Sequence, residues 1–186
     1  MKQVLEAAKE IQDFIESRDW KFCFIGGIAL QRWAIPRNTN DVDLTLITGI
    51  GPEEDFIRTL LDQFESRIDD DPMAFFLPRR IVLIKIGNVG IDISLGALTF
   101  EELAVERATY HTFLPGIDLK TCSPEDLIVF KAFADRLKDW ADVEEVIKFQ
   151  KELDWNYLTL QLSPLVELKE EPAILDKLEA MRKRLL

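Results

Sequence analysis

The stretch FIGGIALQRWAIPRNTNDVDLTLI, residues 24–47, constrains the fold more than any other part of the chain. In its last seven residues Val42, Leu44 and Leu46 alternate with Asp41, Asp43 and Thr45. Period-two alternation of this kind specifies a strand with one apolar and one polar face. Carboxylates at i and i+2 of a strand project from the same face, where they repel each other and one tends to stay protonated. A chain that keeps Asp41 and Asp43 there needs positive charge between them. Upstream, Phe22 to Ile25 reads as a short buried strand that Gly26–Gly27 interrupts.

The elements around this stretch follow from the same periodicities. Val4, Leu5, Ala8, Ile11 and Ile15 recur at helical spacing, so residues 1–17 form an amphipathic helix. Ile28 to Trp33 reads as a short helix and AIPRNTN as a loop. Pro52 opens the next helix, with Phe56, Ile57, Leu60, Leu61 and Phe64 on its inner face. After an acidic turn, IDDDP, the runs IVLIKI and VGIDISLG form a hairpin through Gly87–Asn88. This order predicts an α/β (α+β) unit with a small mixed sheet flanked by helices. A short helix over 101–108 and two short edge strands, 110–113 and 118–121, complete it.

From Ser123 onward the pattern is helical. Ser123 is a good N-cap, Pro124 suits N1, and Glu125 and Asp126 complement the helix dipole. SPEDLIVFKAFADRLKDW predicts one long helix, further helices follow, and SPLVELKEEP separates the last of them. The expected organisation is an α/β core over 1–122 and a helical subdomain over 123–186.

Composition narrows the function classes. The formal net charge is -11, which argues against broad, nonspecific binding to nucleic acid. It leaves room for a nucleotide held through a metal, because the metal supplies the local positive charge. Cys23 and Cys122 sit beside apolar residues and outside any CxxC or Cys/His cluster. They read as free buried thiols, as in a reducing cytoplasm. The charged N-terminal stretch has no signal-peptide h-region, and no apolar run reaches the roughly 18 residues of a membrane span. His111 is the sole histidine, which disfavours zinc sites and histidine base catalysis. Walker A, Rossmann and G-x-S-x-G patterns are absent.

Divalent metal chemistry resolves the conflict between Asp41 and Asp43. Mg²⁺ takes oxygen ligands, typically carboxylates together with substrate phosphates and water. A third carboxylate should come from a neighbouring strand, and Asp92 is the candidate. Ile91 and Ile93 flank it and face the core, which turns Asp92 to the side of Asp41 and Asp43. Each feature alone has a plainer reading. DVD and Asp92 are solvated strand positions, and Gly26–Gly27 is a tight strand-to-helix turn. Their order along the chain is what singles them out. Glycines there let helix N-terminal N–H groups approach a phosphate. In the helical part, Lys131, Asp135, Lys138 and Asp142 fall at i, i+4, i+7 and i+11 and are expected to line one helix face. That stripe reads equally as a solvated salt-bridge face. Lys131 stands out because LIVFKAFA is an apolar setting, costly for a charge without a partner.

The glycine pair, the DVD pair after residues 28–40 and the later strand aspartate together resemble the nucleotidyltransferase fold of the DNA polymerase beta superfamily. The finer pattern GGIALQRWAIPRNTNDVDL is similar to the AbiEii branch, in which an R-x-T/S-x-D-x-D stretch follows the glycines. A second region, PEDLIVFKAFADRLKDWADV, resembles the same branch at Pro124–Leu127, Lys131, Arg136, Lys138–Asp139 and Asp142. Gly27 stands where many minimal nucleotidyltransferases have serine.

The resemblance implies an Mg²⁺- or Mn²⁺-dependent transfer of a nucleoside monophosphate from an NTP to a hydroxyl acceptor. Metal ligands would be Asp41, Asp43 and Asp92. Gly26, Gly27, Arg37, Thr39, Lys131, Asp139 and Asp142 would serve the nucleotide. Lys131 would add charge at the triphosphate and Arg37 would clamp a phosphate. Arg37 also reads as a loop arginine paired to a surface acid, and Thr39 most simply braces the loop through a side-chain-to-backbone bond. The acceptor would be a tRNA end, a protein or a small molecule, and an antitoxin a partner of a toxin-type enzyme. The competing reading is a non-catalytic nucleotide-binding or protein-interaction module that retains the fold.

Overall fold

A computed structural model describes Met1–Leu186. In chain order the elements are α1 (Lys2–Glu16), β1 (Phe22–Phe24), α2 (Gly26–Trp33), β2 (Asp41–Ile47), α3 (Glu53–Gln63), β3 (Glu65–Ser66), α4 (Pro72–Arg79), β4 (Ile81–Ile86), β5 (Val89–Gly96), α5 (Thr99–Arg107), β6 (Thr109–Leu114), β7 (Ile117–Thr121), α6 (Pro124–Ala134), α7 (Leu137–Phe149), α8 (Trp155–Lys169) and α9 (Ala173–Leu185). The chain divides into two compact units. The first comprises Met1–Ile28 with Asn38–Cys122, and the second Ala29–Arg37 with Ser123–Leu186. No helix is long and apolar enough to cross a membrane.

The first unit is built on a mixed seven-stranded sheet in the order β3-β4-β5-β2-β1-β7-β6. β2 runs parallel to β5, and β1 runs antiparallel to β2. The period-two pattern sorts the residues of the central strands. Val42, Leu44 and Leu46 of β2, Ile91 and Ile93 of β5, and Val82 and Ile84 of β4 are buried in one apolar cluster. Val4, Leu5, Ile11 and Ile15 of α1, Ile57 and Leu60 of α3, and Phe76 of α4 complete that side. Asp41, Asp43, Gly90 and Asp92 alternate with these residues and so face the opposite side.

Several expectations need correction here. The strand 118–121 is not an edge. β7 pairs with β1 in parallel through Phe24 and Thr121, and the Cys122 N–H extends that pairing to the Phe24 carbonyl at 3.0 Å. Only β6 lies outside it. Two further elements flank the acidic turn after α3: β3 precedes it and α4 starts at its proline. Asp71 caps α4 by accepting from the Ala74 N–H at 3.1 Å, with Pro72 at the helix start.

In the second unit, the single long helix expected after Ser123 is two helices. α6 ends at Asp135, whose backbone is left-handed at φ 54°, and α7 starts at Leu137. The Asp135 carboxylate accepts from the Trp140 indole at 2.6 Å and from Lys177 at 2.7 Å, which anchors the break. Lys131, Asp135, Lys138 and Asp142 therefore do not share a face of one helix. α8 runs straight through Pro164, so SPLVELKEEP does not break where its proline suggested. Burial of Leu158, Leu162, Leu165 and Val166 outweighs the lost N–H, and the chain turns instead at left-handed Glu170 before Pro172.

Candidate active site

The polar face of the sheet carries the three aspartates on adjacent strands. In the parallel β2–β5 register Asp43 is opposite Asp92, and Asp41 is opposite Gly90. Directly opposed positions of neighbouring strands present their side chains to the same face. The register thus brings Asp41, Asp43 and Asp92 to one patch of the sheet.

The glycine pair is explained by what lies beside it. Gly26 has φ +53°, a left-handed conformation, and a Cβ there would stand 2.6 Å from Asp43 Cγ. A Cβ on Gly27 would stand 2.8 Å from Thr39 Cβ. The Gly27 N–H points to Asp43 Oδ2 at 3.4 Å, at the start of α2. Two bare Cα positions therefore let the helix start press against the carboxylate and the loop threonine. Thr39 Oγ1 lies 3.1 Å from Asp41 Oδ1 and 3.2 Å from the Asp41 carbonyl, so the threonine braces the entry to β2.

Gly26→Ala is expected to destabilise the protein by about 1–2 kcal/mol through the left-handed backbone alone. For a chain of this size that is a fall in Tm of roughly 2–8 °C. The new methyl group also displaces the Asp43 carboxylate, so nucleotide-dependent activity should fall further than stability does. Thermal melts beside transfer assays on the folded variant check this.

Sequence reasoning missed Arg67. Glu65 and Ser66 of β3 pair with Lys85 and Ile84, and the Arg67 N–H continues the ladder to the Leu83 carbonyl at 2.9 Å. Leu83 is opposite Asp92 across β4–β5. Arg67, Leu83, Asp92 and Asp43 thus form one row across the sheet. The Arg67 side chain spans Leu83 and pairs with Asp92 Oδ1. No short-range motif marks it, because it meets Asp92 only through the sheet register.

The donor chemistry at Asp41 and Asp43 suits a hard divalent ion: two carboxylates on one face, the second facing the bare Cα of Gly26. At Asp92 the fit is contested, because Arg67 already engages that carboxylate. No three His, Cys, Asp or Glu side chains are gathered to hold a metal.

In the second unit Lys131, Arg37, Arg136, Asp139 and Asp142 form one network. Lys131 is 7 % exposed, and its Nζ lies 2.6 Å from Asp142 Oδ2 and 3.4 Å from Asp139 Oδ1. The two carboxylates answer the cost of burying that ammonium. Arg37 forks onto Asp142, with Nε at 3.1 Å from Oδ1 and Nη2 at 2.8 Å from Oδ2. The loop arginine's partner is therefore a buried helix acid rather than a surface one. Arg136 pairs with Asp139 across the start of α7. Burial pushes the Asp142 carboxyl up, but hydrogen bonds and charge from Arg37 and Lys131 outweigh it and hold it below the usual aspartate range. The turn at Asp135 is what folds Asp139 and Asp142 back towards Lys131.

A family model described as nucleotidyl transferase AbiEii toxin, type IV TA system, matches residues 16–185. The chain belongs to the AbiEii nucleotidyltransferase family. It is accordingly a nucleotidyltransferase, an enzyme of phosphorus-containing group transfer. No curated protein sequence matches it. Among solved structures it is similar to an antigenic nucleotidyltransferase-like protein from Paracoccidioides brasiliensis, at 17% identity and a TM-score of 0.57, covering 96% of this chain and 93% of that one. It is also similar to the antibiotic-resistance factor ANT(2'')-Ia in solution, at 13% identity and a TM-score of 0.57, covering 91% and 94%. The crystal structure of ANT(2'')-Ia with adenylyl-2''-tobramycin gives 15% identity and a TM-score of 0.54, covering 91% and 99%. These likenesses show that the AbiEii-family chain has a nucleotidyltransferase fold.

Proposed function

We propose that this AbiEii-family enzyme transfers a nucleoside monophosphate from an NTP to a hydroxyl acceptor with the help of Mg²⁺ or Mn²⁺ held by Asp41 and Asp43. The observation that carries this reading is the β2–β5 register, with Asp43 opposite Asp92 and Asp41 two residues before. In the reaction the acceptor oxygen bonds to the α-phosphorus, the bond to the β-phosphate breaks, and pyrophosphate leaves. The divalent ion supplies charge neutralisation for the phosphates. Asp92 orients the acceptor hydroxyl and takes its proton through Oδ2, since Arg67 engages Oδ1. Gly26 and Gly27 let the α2 start lie against Asp43 and Thr39, which brings its backbone N–H groups beside the carboxylate where the phosphates would bind.

In the helical unit Lys131 is the proposed phosphate contact. Its ammonium has three N–H donors, and Asp139 and Asp142 take two. Arg37 has its Nη1 left to donate, with half its side chain exposed. Asp139 and Asp142 act by holding these groups in position, and Thr39 acts by bracing Asp41. The family description, a toxin of a toxin–antitoxin system, supports a toxin role with an antitoxin as partner, and a growth-arresting action in the cytoplasm is part of the proposal. A tRNA end, a protein and a small molecule remain the candidate acceptors.

The test is incubation with each labelled NTP, Mg²⁺ and a cell extract. Label should move to a defined acceptor with release of pyrophosphate, and EDTA should abolish the transfer. Transfer that continues undiminished in EDTA overturns the metal role.

A further inference from the structure

Arg67 approaches the acidic patch from two strands away. Strands in a sheet lie about 4.8 Å apart, so its Cα is roughly 10 Å from that of Asp92. Only a long side chain lying flat over Leu83 bridges this gap. The route has been cleared for it. Gly90, two residues before Asp92 and opposite Asp41, has no Cβ, and a Cβ there would stand 2.9 Å from Arg67 Nη1 and 3.1 Å from its Cζ. No left-handed φ calls for glycine at this position. The guanidinium occupies the place of the missing side chain, next to the register position of Asp41 and bonded to Asp92.

We propose that Arg67 is a resident cation of the site, a positioning residue that holds Asp92 and so limits the resting protein to one divalent ion, bound by Asp41 and Asp43. A second ion can use Asp92 only after displacing the guanidinium. The proposal rests on the metal role of Asp41 and Asp43 given above. Its physical basis is competition: a cation hydrogen-bonded to a carboxylate oxygen repels a metal approaching the same group. A side chain that is 37 % exposed at the patch rim can swing away, so the block is reversible.

The measurement is Mn²⁺ binding to the full chain, followed by electron paramagnetic resonance and calorimetry without nucleotide. Wild type should bind one Mn²⁺, and Asp92→Asn should match it. Arg67→Met should bind two, or bind the first at least tenfold more tightly. Gly90→Ala crowds only the flexible end of the arginine and should move binding in the same direction to a lesser degree. It serves if Arg67→Met does not fold. Arg67→Lys should stay near wild type.

Identical isotherms for wild type, Arg67→Met and Gly90→Ala would overturn the proposal while leaving the metal role of Asp41 and Asp43 intact. Loss of the first ion in Asp92→Asn, to the extent seen in Asp43→Asn, would also overturn it. An absence of Mn²⁺ binding in every protein would remove both this inference and the metal reading beneath it.

Discussion

Replacing Asp41 and Asp43 together by alanine is expected to lower nucleotidyl transfer by about 10³-fold or more. A metal that neutralises transferring phosphates contributes several kcal/mol to the transition state, and each 1.36 kcal/mol is about tenfold in rate. The double variant should still fold. Asp41 is exposed, Asp43 is half-buried on the polar face, and the apolar residues that define β2 are untouched. Thr39 keeps the Asp41 carbonyl as a partner after the carboxylate is gone. Loss of the Gly27 N–H contact to Asp43 offsets the relief of repulsion between the two carboxylates, so the double variant should remain cooperatively folded in metal-free buffer, checked by a thermal melt. In cells, wild-type expression should arrest growth and the double variant should not. Equal label transfer by wild type and the double variant would end the metal-site reading, whatever the growth assay shows.

Lys131→Met is expected to destabilise the protein by about 3 kcal/mol, the lower end of what removing one partner of a buried ion pair costs. At this chain length that corresponds to a fall in Tm of roughly 6–12 °C. The lower end applies because Arg37 still compensates Asp142 and Arg136 still compensates Asp139. Methionine fills similar volume, so the effect is electrostatic rather than a cavity. A double-mutant cycle with Asp142→Asn isolates the pair. The two substitutions together should cost less than the sum of the single losses, because each removes the same Lys131–Asp142 pair. If Lys131→Met melts within about 1 °C of wild type, the network is not a structural element. ATP binding to the folded variant, measured separately, reports on its proposed phosphate contact.

Much of the first unit was legible because local patterns there agree with the global fold. The alternation in DVDLTLI and IVLIKI, and the turn at Gly87–Asn88, set strands whose apolar halves all entered one core. Gly26–Gly27 was legible as a special backbone position. Its cause, close contact with Asp43 and Thr39, was not, since that depends on atoms seventeen and twelve residues away. β3 and α4 were missed although Asp71 and Pro72 are ordinary helix-start residues, because the segment around IDDDP read only as an acidic turn. The helix break at Asp135 carries neither Gly nor Pro. It depends on Trp140 and on Lys177 far along the chain to hold a left-handed aspartate.

The sequence by itself determined the central strands, the two aspartates on the polar face, the side to which Asp92 turns and, through two separated motifs, the family. These rest on periodicity and residue type, which are local. Only the tertiary structure decided what each charge meets: that Arg67 reaches Asp92 across Leu83, that Arg37 forks onto Asp142, and that Lys131 is buried against two acids of the next helix. Coulomb and hydrogen-bond energies depend on distances between groups remote in sequence, and strand register and helix turns fix those distances.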